Sequence, residues 1–161
     1  MSENNLTIRF ATADDLDLVY DFIHALAHYE KMTHRVQTTK QQLKESLFEK
    51  KYAEVLLLFV DDVALGFAIF YPIFSSFQGQ ANLYLEDLFV NETARGKGYG
   101  KALMKALGKI ALKRHYHYLK WSCLDWNTPS IEFYQSIGAK QVDEWLTFTL
   151  EGKQLIDFIN E

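Results

Sequence analysis

The sequence predicts an α/β fold with a mixed sheet, antiparallel in its first half and parallel where helices cross over. Three observations predict it. Two apolar runs, "EVLLLFV" and "VALGFAIFY", flank the acidic pair Asp61–Asp62 as a β-hairpin would. Further on, apolar segments at 82–90 and 117–124 alternate with amphipathic ones at 98–113 and 128–136. Between the first two of these lies a glycine cluster, Gly96, Gly98 and Gly100, of the kind that brings backbone close to a bound anion.

In chain order, "LTIRF" (6–10) alternates and predicts a strand. Thr12 and Asp15 resemble a capping box and open a helix running from about Ala13 to Tyr29, with Leu16, Val19, Phe22, Ile23 and Leu26 on its core face. Thr39 opens a second helix through Leu43, Leu47 and Phe48. The hairpin occupies 54–71, followed by a long strand at 82–90, the post-glycine helix at 98–113 and a strand at 117–124. Pro129 near its start and Gly138 just past its end mark a short helix over 128–136. "EWLTFTL" (144–150) alternates as a last strand, and "GKQLIDFIN" ends in a helical turn.

The chain has 161 residues, 48% hydrophobic and 24% charged, which suits one folded domain over 1–161 that buries roughly 70% of its unfolded surface. The longest apolar run uninterrupted by glycine, Val55–Val60, is too short to span a bilayer, and "MSENN" lacks the order of a secretion signal. A single cysteine, Cys123, expected as a small buried hydrophobe, excludes an internal disulfide framework and suits a reducing compartment, so a cytoplasmic location and no membrane partner are expected. It cannot build a cysteine-rich zinc site, and no metal is expected. A net charge of −4 argues against nucleic acid and suits a cationic small molecule.

The glycine loop matches neither common nucleotide motif. A Walker loop needs four residues between its glycine and Gly-Lys and then a hydroxyl residue, whereas Gly96 and Gly100 have three between them and Ala102 follows Lys101. The dinucleotide fingerprint needs glycine where Lys101 stands. What remains is Arg95-x-x-Gly98-x-Gly100, whose successive amides at a helix start suit a pyrophosphate without a metal. A glycine-rich connecting turn is the plainer alternative, with Lys101, Lys105, Lys109 and Lys113 as a solvated helix face.

"R-G-K-G-Y-G" after "LYLEDLFV", together with "DWNTPSIEFYQSIGA" and the opening "IRFATADDLDLVYDFIHALAHYEKM", resembles the Gcn5-related N-acetyltransferases across nearly the whole chain. Within them the chain is similar to the diamine (spermidine/spermine) group; "LDWN" resembles the thialysine-acetylating branch instead, and "PSIEFY" the diamine branch. The resemblance implies a twisted mixed sheet in which a splayed pair of strands forms the acetyl-CoA cleft. It implies transfer of acetyl from acetyl-CoA to a primary amine of a diamine or polyamine, with thialysine, lysine or another amino-acid amine as the alternative acceptor, and a homodimer. A reading of a different class is a non-catalytic acyl-CoA sensor.

The resemblance also implies roles for particular residues. Arg95, Gly96, Lys97, Gly98, Tyr99, Gly100 and Lys101 hold the coenzyme pyrophosphate. Backbone groups of Leu88, Phe89 and Val90 bond the pantetheine, and Asn127, Pro129 and Ser130 lie along the coenzyme; Asn127 otherwise reads as a helix cap. Tyr134 takes the general-acid position, protonating the departing thiolate, and otherwise reads as a core aromatic. An alkylammonium has a pKa of about 10 and must lose a proton before it attacks; a carboxylate can take that proton, directly or through water, and also select a cationic substrate. Glu86 is assigned amine recognition and proton acceptance, with Asp87 beside it; the plainer alternative is a solvated edge pair. Strict alternation puts Leu83, Leu85, Asp87 and Phe89 on one face and Tyr84, Glu86, Leu88 and Val90 on the other. Tyr29 and Glu30, otherwise a packed helix end with a solvated acid, match a substrate-contacting pair, and Lys120, Trp121 and Ser122 align with further substrate contacts.

Overall fold

Five strands in the order β1-β2-β3-β4-β5 form the sheet: β1 Leu6–Phe10, β2 Glu54–Val60, β3 Val63–Ser75, β4 Gln80–Val90 and β5 Leu119–Trp121. The first three pairings are antiparallel and β4–β5 is parallel, as the alternation of elements predicts. The computed structural model describes residues 5–160, which gather into two compact units, one ending at Ser122 and one beginning at Cys123.

Local chemistry accounts for the elements of the first unit. Asp15 accepts from the Thr12 amide at 2.8 Å, and the Arg9 guanidinium forks its carboxylate at 2.7 and 2.8 Å. Arg9 thereby holds the Asp15 carboxyl down at about 2. The capping box opens a 3₁₀ turn, Ala13–Asp15, that leads into α1, Leu16–Tyr29. Thr39 and Gln42 form a second box at the start of α2, Lys40–Lys44, which continues as a π-helical turn over Glu45–Glu49. Asp61 and Asp62 have φ of 50° and 64°, the left-handed pair that a two-residue hairpin turn demands.

The sheet separates two apolar layers. On one side Val19, Phe22 and Leu26 of α1 and Leu43 of α2 pack with Val55, Leu57, Phe67, Ile69 and Phe89. On the other lies α3, Tyr99–Lys113, with Leu103 and Leu107 fully buried. Gly66 marks that second face: a Cβ there would come 3.5 Å from Leu103 Cδ1 and only 2.8 Å from the Phe89 carbonyl oxygen. No larger residue fits without parting β3 from β4.

The β4–β5 pairing is short. It joins Leu83–Leu85 to Leu119–Trp121, and β4 then runs on through Glu86–Val90 with no strand on that edge among the described residues. This is the open, splayed arrangement that the resemblance implies. Asn82 fixes where β5 begins. It is fully buried, accepts from the His117 and Tyr118 amides at 2.8 and 3.2 Å, and donates to Gln78 Oε1 at 2.8 Å.

In the second unit, α4 spans Thr128–Ser136 and α5 spans Gly152–Ile159. Three expectations need correction. The segment 144–150 alternates but joins no ladder, and 117–124 shrinks to three paired residues. Alternation reports which faces a segment would present; it does not supply the neighbouring strand that makes it a strand. Cys123 is exposed, not buried. Among the described residues no helix is long and apolar enough to cross a membrane.

Replacing Asn82 by alanine strands two backbone donors at the start of β5. Urea unfolding of Asn82→Ala should show a loss of about 2 kcal/mol; a loss under about 0.5 kcal/mol would mean that β5 is placed by something else.

Candidate active site

The register of β4 against β3 slips by one residue at the acid pair. Asp87 pairs with Ile69 and Leu85 with Phe70, so Glu86 is the inserted residue of a β-bulge. Ile69 and Phe70 point to opposite faces, and their partners follow. Leu83 and Leu85 therefore lie on the α3 face, whereas Asp87 and Phe89 lie on the α1 face. The single alternation expected along 83–89 fails here, because a bulge resets the phase of a strand without any mark in its hydrophobic pattern.

The consequence is that both acids serve one face. Tyr71, in phase with Ile69, donates its hydroxyl to Glu86 Oε2 at 3.1 Å. The Tyr84 ring packs tilted against Tyr71 with centroids 5.2 Å apart, and its hydroxyl lies 3.1 Å from Ser122 Oγ. Ser122, Tyr84, Tyr71 and Glu86 thus form one continuous polar and aromatic row. Tyr71 and Tyr84 were not among the sequence candidates; two tyrosines inside aliphatic strands are a weak hint, and only the β3–β4 register makes them partners.

Electrostatics sets Asp87 apart. It is partly buried, and that burial, with the Glu86 and Glu30 carboxylates adding to it, pushes its carboxyl up to about 7. Glu30, at the end of α1, is raised by burial too. Burial, then the Glu86 charge and hydrogen bond, raise the Tyr71 hydroxyl to about 12, so it stays a donor at neutral pH. Glu30, Glu86 and Asp87 form an acidic cluster beside the open stretch of β4. Lys120 pairs in register with Tyr84, and Trp121 with Leu85.

The glycine loop joins the same strand to α3. Gly96 and Gly98 have φ of 76° and 83°, which glycine alone adopts without penalty, and a Cβ at either would meet no atom within 4 Å. The first helical bond runs from the Ala102 amide to the Gly98 carbonyl at 3.0 Å. The amides of Tyr99, Gly100 and Lys101 precede it and have no helical carbonyl to meet. Open space over two left-handed glycines, a helix start, and Lys97 and Lys101 alongside fit a pyrophosphate.

In the second unit, Asn127 caps α4 by accepting from the Ser130 amide at 3.4 Å, with Pro129 in the first turn. Tyr134 lies on that helix with its ring 5.3 Å from Phe133. His24 and His28 stand one turn apart on α1, but among the described residues no three His, Cys, Asp or Glu are placed to hold a metal ion.

Comparison with known proteins gives a consistent picture. The model of the acetyltransferase (GNAT) family matches residues 19–139. The chain is 28% identical to an L-ornithine N5-acetyltransferase of Arabidopsis thaliana, over 95% of this chain and 88% of the relative. It is 29% identical to a thialysine N-epsilon-acetyltransferase of Caenorhabditis elegans, over 98% of this chain and 99% of the relative. Among solved structures, an integron cassette protein from the mobile metagenome of V. cholerae superposes with a TM-score of 0.80 at 30% identity, covering 97% of this chain and 98% of that one.

The raised Asp87 carboxyl has a sign. Below the unfolded-state value near 4 both states hold the proton, and Asp87 costs nothing. As pH rises from there to about 7 the native state keeps a proton that the unfolded chain has lost, so stability falls across that window. Melting curves between pH 4 and 8 should show wild type losing ground to Asp87→Asn up to about pH 7 and running parallel above it. Parallel curves throughout would place Asp87 in ordinary solvent.

Proposed function

The chain belongs to the acetyltransferase (GNAT) family, and from that premise we propose that it moves the acetyl group of acetyl-CoA to a terminal primary amine of a small cationic acceptor, a diamine or polyamine. The observation that carries the acceptor class is the gathering of Glu30, Glu86 and Asp87 beside the unpaired stretch of β4. Several carboxylates at one site suit an acceptor that carries a second cation besides the reacting nitrogen.

Acetyl-CoA supplies the acetyl group as an activated thioester. Residues Arg95–Lys101 would hold its pyrophosphate through backbone amides, and from the family resemblance the segment Leu88, Phe89 and Val90, on the stretch of β4 beyond its pairing with β5, would meet its pantetheine arm. Glu86, steered by Tyr71, meets the ammonium of the acceptor. Asp87, pushed up to about 7, matches a neutral medium as a proton acceptor, so the acid pair can take the proton that the amine must shed. Glu30 holds the distal charge, with Tyr29 beside it on the helix end. From the family resemblance, Asn127, Pro129 and Ser130 follow the coenzyme, and Tyr134 donates the proton that the leaving thiolate takes up. The dimer and the cytoplasmic location belong to the same reading.

A second reading takes an amino acid with a side-chain amine as acceptor. Two relatives favour it, since one is named for L-ornithine and the other for thialysine. In this reading Lys120, in register with Tyr84, receives the acceptor's carboxylate.

Free-thiol release from acetyl-CoA across putrescine, spermidine, spermine, ornithine, thialysine and lysine tests both. Polyamines should lead, and Glu30→Gln should raise KM for the longer ones while kcat holds. Glu86→Gln should lower kcat and kcat/KM for every amine. Tyr134→Phe should bind acetyl-CoA normally and turn over roughly 10²- to 10⁴-fold more slowly. A lead by ornithine or thialysine that Lys120→Ala abolishes would establish the second reading. Acetyl-CoA binding without thiol release for any amine would leave a sensor module.

A further inference from the structure

Arg95 opens the glycine loop, yet its side chain turns back onto the acceptor side. Its Nε donates to the Val90 carbonyl at 3.1 Å, and Nη1 lies 4.0 Å from Glu92 Oε1. The guanidinium carbon lies 4.3 Å from the centroid of the Tyr29 ring and 5.6 Å from that of Phe89. One side chain thus bridges the last residue of α1, the end of β4 and the start of the loop.

Each end of this bridge adjoins a different ligand. Gly96, the first left-handed glycine, follows Arg95 directly, so the placement of Arg95 sets where the loop amides begin. Tyr29 precedes Glu30, whose carboxylate is felt by Asp87. We propose that Arg95 is a positioning residue that couples the coenzyme loop to the acceptor-facing end of α1, so that each ligand binds more tightly when the other is present. The inference rests on the acetyl-transfer reading above. A planar guanidinium can lie on a ring face while its Nε bonds a carbonyl; an ammonium has neither the plane nor the fork. Coupling of this kind is reciprocal, so the amine should tighten coenzyme binding by the same factor as the coenzyme tightens amine binding.

The test is calorimetric titration of CoA, which carries no acetyl group to transfer, with and without putrescine. It is paired with acetyl-CoA titration and amine kinetics of the variants. Wild type should bind CoA more tightly with the amine present. Tyr29→Phe keeps the ring and should bind acetyl-CoA more tightly than Tyr29→Leu. Tyr29→Leu should bind it about threefold to tenfold more weakly, the range of a partly exposed cation–π contact. Arg95→Lys should weaken acetyl-CoA binding and raise the amine KM together, and the double variant Tyr29→Leu/Arg95→Lys should bind no more weakly than Arg95→Lys alone. Unchanged acetyl-CoA affinity in Tyr29→Leu, or additive losses in the double variant, would overturn the proposal. Arg95 is exposed, so Arg95→Lys decides the matter if Tyr29→Leu does not fold: an altered acetyl-CoA affinity with an unmoved amine KM is then the contrary result. Wild type that fails to bind acetyl-CoA would sink the functional reading itself, a different outcome from wild type that binds without coupling.

Discussion

One inserted residue in β4 governs the site. Without the bulge at Glu86, strand alternation would send Glu86 and Asp87 to opposite faces and put Asp87 among the leucines that pack on α3. With it, the strand serves two layers in succession: Leu83 and Leu85 close the α3 core, and two residues later Asp87 and Phe89 face α1. Two adjacent carboxylates on one face repel each other, and partial burial raises the cost. The Tyr71 hydroxyl meets part of it at Glu86, and Asp87 meets the rest by holding a proton up to about 7. A cationic acceptor would discharge what the free protein leaves unbalanced.

The rest of the fold gives that bulge its surroundings. Asn82 starts β5 beside β4, and the pairing ends after three residues, which frees the backbone of Glu86–Val90 on one edge. Gly66 lets β3 approach β4 at the Phe89 carbonyl. Beyond Val90 the chain folds back through Arg95 onto Tyr29 before the left-handed glycines open α3. The Glu86–Asp87 pair, the open edge and the loop therefore lie within a short stretch of chain, and one guanidinium ties that stretch to the end of α1.

Much of this was legible in the sequence. The Thr12–Asp15 box, the Asp61–Asp62 turn and the glycine loop are local devices whose geometry is set by the residues that form them, so their positions could be read directly. The bulge could not be, because Leu85-Glu86-Asp87 alternates no differently from a straight strand and the slip exists only relative to β3. For the same reason Tyr71 and Tyr84 escaped notice, and the alternation of 144–150 promised a ladder that needs a neighbour. Arg95 was legible as part of the loop motif; its engagement with Tyr29, 66 positions earlier in the chain by number, belongs to tertiary structure.

The central claim is that the bulge makes Glu86 and Asp87 one acceptor-binding acid pair. Carboxyl ¹³C NMR of Asp87, titrated with and without putrescine, tests it most directly. The account predicts a midpoint near 7 in the free protein and a clear fall when the diamine binds, since a neighbouring ammonium favours the carboxylate. A midpoint in the ordinary carboxylate range near 4 that putrescine leaves unmoved would contradict it.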